Sequence, residues 1–335
     1  MSIFLLLLAV IPVLLVGYTF WRVRQISRDF KPDGRFAVVD GVKLHYHFYS
    51  AEKERGNVPA LVFLHGASGN GYDTRLAFLK VLKGKYPLLF VDRPGLGYSG
   101  RKSFGQDTPE GQAHLLAGLL EKLEIREAIV VGHSLGGAVA AALGMIAPAR
   151  VQGLVFLAPV SHPWPGGVNW YYTVASMPVI GKIFSWTLMM PIAERLAPAA
   201  IGNVFFPDTA PEDYIEEIKV PLLFRPDTFQ ANARDIAQLK KAVTAQSERY
   251  SSLSQPALIV SGTQDTVVWP SIHCEGLLSA LPEAELVMLD NAGHMPHHTH
   301  VSCITAALDG LVRRIRAEEG MASVSDHCQR SVERA

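Results

Sequence analysis

Three residue types that together supply a nucleophile, a base and an orienting acid occur at the ends of separate apolar runs. They are Ser134 in "IVVGHSLGG" (129–137), Asp265 in "SGTQDT" (261–266) and His294 in "NAGHMP" (291–296). A serine hydroxyl is a poor nucleophile near neutral pH. It needs an imidazole to take its proton and a carboxylate to fix that imidazole's tautomer. A tetrahedral intermediate further needs two backbone donors for its oxyanion. The segment "FLHGASGN" (63–70) offers the N–H of Ala67, and the residue after the nucleophile offers the N–H of Leu135. The implied chemistry is acyl transfer to Ser134 followed by hydrolysis.

Such groups must be held by elements that end close together. Ile129, Val130 and Val131 read as a buried strand, and Ala138–Ala147 reads as a helix, so Ser134 falls on a strand-to-helix turn. Gly132 and Gly136, two residues to either side, leave that turn free of side chains. Upstream, "FAVVDGVKLHYHFY" (36–49) gives two alternating runs around Asp40-Gly41, a hairpin of antiparallel edge strands. Continuous apolar runs then follow at 60–66, 87–95, 128–134, 154–159, 257–262 and 285–290, the pattern of parallel strands buried on both faces. Helices are expected at about 72–83, 109–123, 136–147, 271–281 and 300–316. Reactive groups of an open parallel sheet gather at the carboxyl ends of its strands, which is where Ser134, Asp265 and His294 fall.

The pieces "LHGASGN", "VDRPGLGYS", "GHSLGG", "SGTQD" and "NAGHMPH" occur in this order over residues 36–316, and the chain resembles the capped members of the α/β-hydrolase superfamily. The resemblance implies an eight-stranded, mostly parallel sheet, no metal or organic cofactor, and hydrolysis through a covalent acyl-enzyme. With serine at position 134, the chain departs from the related dehalogenases and epoxide hydrolases, which use aspartate there. Residues 161–252, rich in Trp, Tyr, Phe, Met and Pro and without a strand run, read as a helical cap inserted after strand 6. The expected organisation is an anchor with a basic flank at 1–30, hydrolase core at 31–160 and 253–316, the cap between them, and a polar tail at 317–335.

Other residues compete for these roles. Asp290 lies four residues before His294, but at the end of its own strand it suits capping of the following turn, so Asp265 is preferred as the acid. Asp92 reads as a turn scaffold, and His65 and His133 as turn and packing residues. His294, His297, His298 and His300 crowd into seven residues, yet no acidic or thiolate ligand accompanies them in sequence, so no metal is assigned.

Lys plus Arg equals Asp plus Glu at 31 each, leaving no bulk positive charge to hold a phosphate backbone, so nucleic acid is excluded as a partner. Three scattered cysteines, Cys274, Cys303 and Cys328, indicate neither a disulfide framework nor a thiolate metal site. Residues 2–21 carry no charge, and twenty helical residues span about 30 Å, so the run reads as a single-pass membrane anchor. Arg22, Arg24, Arg28 and Lys31 follow it, placing the body on the cytoplasmic side. The expected partners are therefore a membrane and a small-molecule substrate with an apolar portion. The expected activity is hydrolysis of a carboxylic ester, a thioester or a lactone. Carbon–carbon bond hydrolysis on the same fold and a non-enzymatic ligand-binding or protein-binding homologue are the alternatives.

Overall fold

Asp40 and Gly41 both take positive φ, 48° and 70°. That is the backbone twist a two-residue hairpin turn requires, and it joins β1 (Arg35–Val39) to β2 (Val42–Tyr49) in antiparallel register, Val39 opposite Val42. The computed structural model describes residues 3–52, 58–102 and 105–332, and the side chains of 10–52, 58–102 and 105–317. After the hairpin come β3 (Ala60–Leu64), β4 (Leu88–Val91), β5 (Ala128–His133), β6 (Val151–Leu157), β7 (Ala257–Gly262) and β8 (Glu285–Leu289). They form an eight-stranded sheet in the order β1-β2-β4-β3-β5-β6-β7-β8. Only the β1–β2 and β2–β4 pairings are antiparallel. Every residue of β3, β4, β5 and β7 is buried, which is why these strands read as unbroken apolar runs.

Helices cover both faces. The residues α3 (Pro109–Lys122) and α4 (Leu135–Ile146) bury, among them Leu116, Leu119, Ala138 and Val139, share one core with Val62, Val130 and Leu154. On the other face Phe78 of α2 (Gly71–Leu82) and Leu308 and Leu311 of α12 (Val301–Val332) pack with Phe63, Phe90 and Val131. The last helix therefore runs on to Val332, where a polar tail was expected beyond residue 316. Ala317, Glu318, Glu319, Met321 and Ala322 are good helix formers, Gly320 is a poor one, and no proline interrupts the segment.

Between β6 and β7 lie α5 (Trp170–Ser176), α6 (Ile180–Thr187), α7 (Met189–Phe205), the single turn α8 (Tyr214–Glu217) and the long α9 (Pro226–Ser247). These elements occupy the span expected for the cap. Beyond them, α10 (Pro270–Ala280) and the short α11 (Pro296–Thr299) complete the fold.

The amino-terminal run forms α1 (Ile3–Asp29). Among the described residues no helix is long and apolar enough to cross a membrane. Nor does α1 stand apart from the body, as an independent anchor would. Thr19 and Ile26 are buried and Leu15 and Arg22 are half-buried, one stripe at i, i+4, i+7 and i+11. Ile26 joins Met190, Phe205, Tyr214 and Phe224 in one apolar cluster, and Tyr18 and Arg22 both bond the Glu194 carboxylate on α7. The sequence did not expose this, because the stripe begins at Leu15 and Thr19 within the uncharged run and continues through Arg22 and Ile26 of its basic flank, so neither segment shows it alone.

Candidate active site

Ser134 sits between β5 and α4 with φ 52° and ψ −119°, a conformation outside the regions L-residues ordinarily adopt. Its neighbours make the turn possible. A Cβ at Gly132 would lie 2.3 Å from the Gly136 carbonyl oxygen, and one at Gly136 would lie 2.3 Å from that of Leu64, so both positions exclude any side chain. The turn is then pinned: Ser134 N–H donates to Leu157 O at 2.9 Å, and Ser134 O accepts from Gly137 N and Val160 N at 2.9 and 3.0 Å.

The expected base and acid converge on this serine. His294, in the loop after β8, places Nε2 3.1 Å from Ser134 Oγ and Nδ1 2.8 Å from Asp265 Oδ2. A carboxylate only accepts, so Nδ1 carries the proton and the Nε2 lone pair faces the serine. The other Asp265 oxygen accepts from Val267 N and Val268 N, each at 2.9 Å, which fixes the carboxylate in the turn after β7. All three side chains are buried. Asp290 is exposed, and among the described residues no hydrogen bond joins it to His294.

The loop carrying Ala67 abuts the nucleophile. A Cβ at the preceding Gly66 would lie 3.1 Å from the Ser134 Cβ and 2.9 Å from His133 Nδ1. Leu135 is the first residue of α4, where helix geometry gives its N–H no intrahelical partner. Leu135 therefore adjoins Ser134 in the chain, and the loop that leads into Ala67 touches Ser134 at Gly66.

Three residues that sequence reasoning missed hold this loop. Arg93, fully buried after β4, donates from Nε to His65 O and from Nη2 to Gly66 O, both at 2.9 Å. Its Nη1 reaches Gln112 Oε1 at 2.8 Å and Asp235 Oδ2 of α9 at 3.0 Å, while Arg101 bonds the second Asp235 oxygen at 2.6 Å. Burial raises the Asp235 carboxyl, against the pull of Arg101 and Arg93. Asn232, also on α9, accepts from Ser68 N at 2.7 Å and donates to Ser68 Oγ at 3.0 Å. Ser68 has φ 59°. The cap helix thus grips the residues on both sides of Ala67. The one available signal in sequence was the charged pair Asp92-Arg93 following a buried strand.

Asp92 is a scaffold. It accepts from His45 Nδ1 at 2.8 Å and from Gly71 N and Tyr98 N at 2.7 Å each, and these bonds outweigh burial to hold its carboxyl below the usual range. Burial, with help from the Arg93 charge, pushes His65 down to about 3. Its Nδ1 donates to Gly66 O at 2.8 Å and its Nε2 accepts from Arg93 N at 3.0 Å. His133 donates from Nε2 to the His294 carbonyl at 2.9 Å, tying the nucleophile turn to the base's own backbone.

The histidine cluster divides. His294 serves Ser134, and His300 meets Thr299 Oγ1 at 2.8 Å. The remaining pair has an acidic partner after all: Asp73 of α2 accepts from His298 Nε2 at 2.8 Å, His297 Nε2 at 3.2 Å and Tyr214 Oη at 2.8 Å. Burial opposes the Asp73 charge, but His297 and His298 hold its carboxyl well below the usual range. Burial, followed by the His298 charge, brings His297 down to about 4. Asp73, His297 and His298 bring ligand atoms within 4.8 Å of one another, so this is the group that could hold a metal ion. In the structure its nitrogens are engaged by the carboxylate.

Fold and site define a class of protein: a parallel-sheet hydrolase with a nucleophilic turn under an inserted cap. The sequence model of the alpha/beta hydrolase family matches residues 61–302, and the chain belongs to that family. It is 27% identical over 263 residues to the dihydrolipoyllysine-residue acetyltransferase component of an acetoin cleaving system from Cupriavidus necator, covering 78% of this chain and 64% of that protein. It is 27% identical over 282 residues, 83% of this chain and 94% of the relative, to a 2-hydroxy-6-oxononadienedioate/2-hydroxy-6-oxononatrienedioate hydrolase from Burkholderia vietnamiensis. The enol-lactonase of Burkholderia xenovorans LB400 superposes with a TM-score of 0.65 at 21% identity, over 83% of this chain and all (100%) of that one. At that identity the superposition speaks for the fold alone.

Proposed function

We propose that the protein is a serine hydrolase of carboxylic esters, lactones included, whose substrate has a substantial apolar portion. The observation that carries this reading is the Ser134 Oγ held 3.1 Å from an imidazole nitrogen whose ring is oriented by Asp265. His294 takes the Ser134 proton as Oγ attacks the ester carbonyl carbon. The oxyanion so formed lies toward the N–H groups of Ala67 and Leu135. As the ester C–O bond breaks, His294 returns the proton to the departing alkoxide. The same imidazole then deprotonates water for attack on the acyl-enzyme, releasing the acid and restoring Ser134. The aromatic and methionine-rich cap supports an apolar substrate portion. The uncharged run 2–21 and the basic residues after it support attachment to a membrane through α1, with the body on the cytoplasmic side.

The second reading, hydrolysis of a carbon–carbon bond, draws support from the relative named for a hydroxy-oxo dicarboxylate. A dicarboxylate calls for cations at the site, and Arg93 and Arg101, which lie by the oxyanion loop, are both paired with Asp235. Labelling of Ser134 by a fluorophosphonate probe, lost in Ser134→Ala, tests the serine hydrolase. A panel of acyl esters of increasing chain length, run beside the dicarboxylate, separates the two readings. A protein that neither labels nor turns over any of these is a binding homologue.

A further inference from the structure

The outer surface of the cap is apolar where a water-facing helix pair would be charged. From Trp170 to Phe206 the chain carries only three charged residues, Lys182, Glu194 and Arg195. Trp170 is 69% exposed, Val179 71%, Ile183 61% and Leu196 57%. Single exposed apolar side chains are ordinary, but a continuous surface of them marks a binding face. This one is continuous with α1. That helix packs against α6 and α7 by its one buried stripe, and it leaves Val13, Leu14, Phe20 and Trp21 outward. A cleft of about 430 Å³, lined by Tyr18, Trp21, Ala197, Pro198, Ile215 and Phe224, joins the surface of α1 to that of α7.

The charges select the occupant. Glu194 is paired with Arg22 and Asp29 with Arg28, so among the described residues the exposed charges of this face left without an opposite partner are Lys182 and Arg195 on the cap and Arg24 on α1. All three are basic. Basic residues beside large apolar ones, with Trp and Tyr at the margin, are the pattern of a face that rests in an anionic lipid surface. The helix that carries Trp170 also touches the oxyanion loop. In α5, exposed Trp170 is two residues from Tyr172, whose hydroxyl lies 3.4 Å from Ser68 Oγ beside the oxyanion loop.

We propose that the outward face of α6 and α7, with Trp170 of α5, rests on an anionic phospholipid bilayer beside α1. This rests on the reading of the protein as a membrane-attached hydrolase of apolar esters, and it adds that the cap itself is the docking element.

The test uses the full chain with an environment-sensitive fluorophore at one cysteine. Cys274 is buried, its thiol pushed up to about 11 by burial, and so resists labelling, whereas Cys303 on α12 is exposed. With Cys328 replaced by Ser, native Cys303 is the control position. With Cys303 also replaced, Val179→Cys and Ile183→Cys report on the cap. Vesicles of phosphatidylcholine and phosphatidylglycerol should shift the emission of both cap labels to the blue, and nitroxide-bearing lipid should quench them, while the Cys303 label stays water-like.

In parallel, Val179→Asp, Ile183→Asp and Leu196→Asp combined should leave hydrolysis of a soluble short-chain ester unchanged. Hydrolysis of a long-chain ester presented in vesicles should fall by about tenfold or more, through lost local concentration. Water-like cap labels on protein that floats with vesicles and cleaves the soluble ester would overturn the docking face alone. A blue shift without vesicles that grows with protein concentration would assign the face to a second copy and also overturn it. Failure to float would remove both the docking face and the membrane attachment. Loss of soluble-ester cleavage in the unsubstituted chain, with labels still shifted, would remove the hydrolase reading and leave the docking face standing.

Discussion

Ser134 Oγ, His294 and Asp265 form one hydrogen-bonded unit, so their contributions should not add. Ser134→Ala and His294→Ala should each lower kcat by about 10³-fold or more, and the double variant should be scarcely worse than either. Additive losses would mean that the two residues do not share a step. Asp265→Asn removes the acceptor that fixes the Nδ1–H tautomer and should lower kcat by up to about 10⁴-fold with the melting temperature little changed. Asp290→Asn, on an exposed side chain, should stay within about 0.5 kcal/mol in stability and near full activity. The reverse order of damage would reassign the acid. These three side chains were legible in the sequence because each follows an apolar run within a few residues, although β8, the strand before His294, is an edge strand with only Leu289 buried. The fourfold histidine run was not, because the partner that sorts it, Asp73, lies 225 residues from His298.

At the scale of elements, the β5–α4 turn is a local device, and Gly132 and Gly136 betrayed it. The grip of α9 on the oxyanion loop is not local. Ser68 and Asn232 are 164 residues apart, and Arg93 and Asp235 are 142 apart, so no spacing rule could pair them. Asn232→Ala would leave the Ser68 N–H without its acceptor, at a cost of about 1–3 kcal/mol. It should lower kcat more than it raises KM, because the loop it steadies carries a donor needed in the transition state. Equal binding and turnover in the variant would reduce the contact to packing. The amino-terminal helix makes the same point in reverse, since its composition announced an anchor and concealed a docking stripe. Deleting residues 1–29 would remove Ile26 from its cluster with Met190, Phe205 and Phe224, a loss of about 2 kcal/mol, and would free Glu194 from both partners. Hydrogen exchange in α7 and α8 should then accelerate. Unchanged exchange there would describe an independent tether.

Taken as a whole, the molecule buries several imidazoles in their neutral form, and this sets how its stability responds to acid. Burial is the largest cause in each case. It brings His65 to about 3, His273 and His297 to about 4, and His133 well below its ordinary value. In the unfolded chain these groups protonate near pH 6.5. Between about 6.5 and 4, therefore, the unfolded state binds more protons, and stability must fall as pH falls. Each buried imidazole that must stay neutral adds to this loss, which acts against the roughly 5–15 kcal/mol that holds an ordinary domain together. Asp73 and Asp92, held below the usual carboxylate range, act in the same direction at still lower pH, while Asp235, raised by burial, opposes them. The melting temperature should decline steadily from pH 7 to 4.5. His297→Gln should start lower, because Asp73 loses part of its charge-assisted support, but its decline between pH 6.5 and 4.5 should be shallower, because one titrating site is gone. A profile flat over that window, or a slope unchanged by the substitution, would show that the buried imidazoles already find compensating charge and do not control the acid limit.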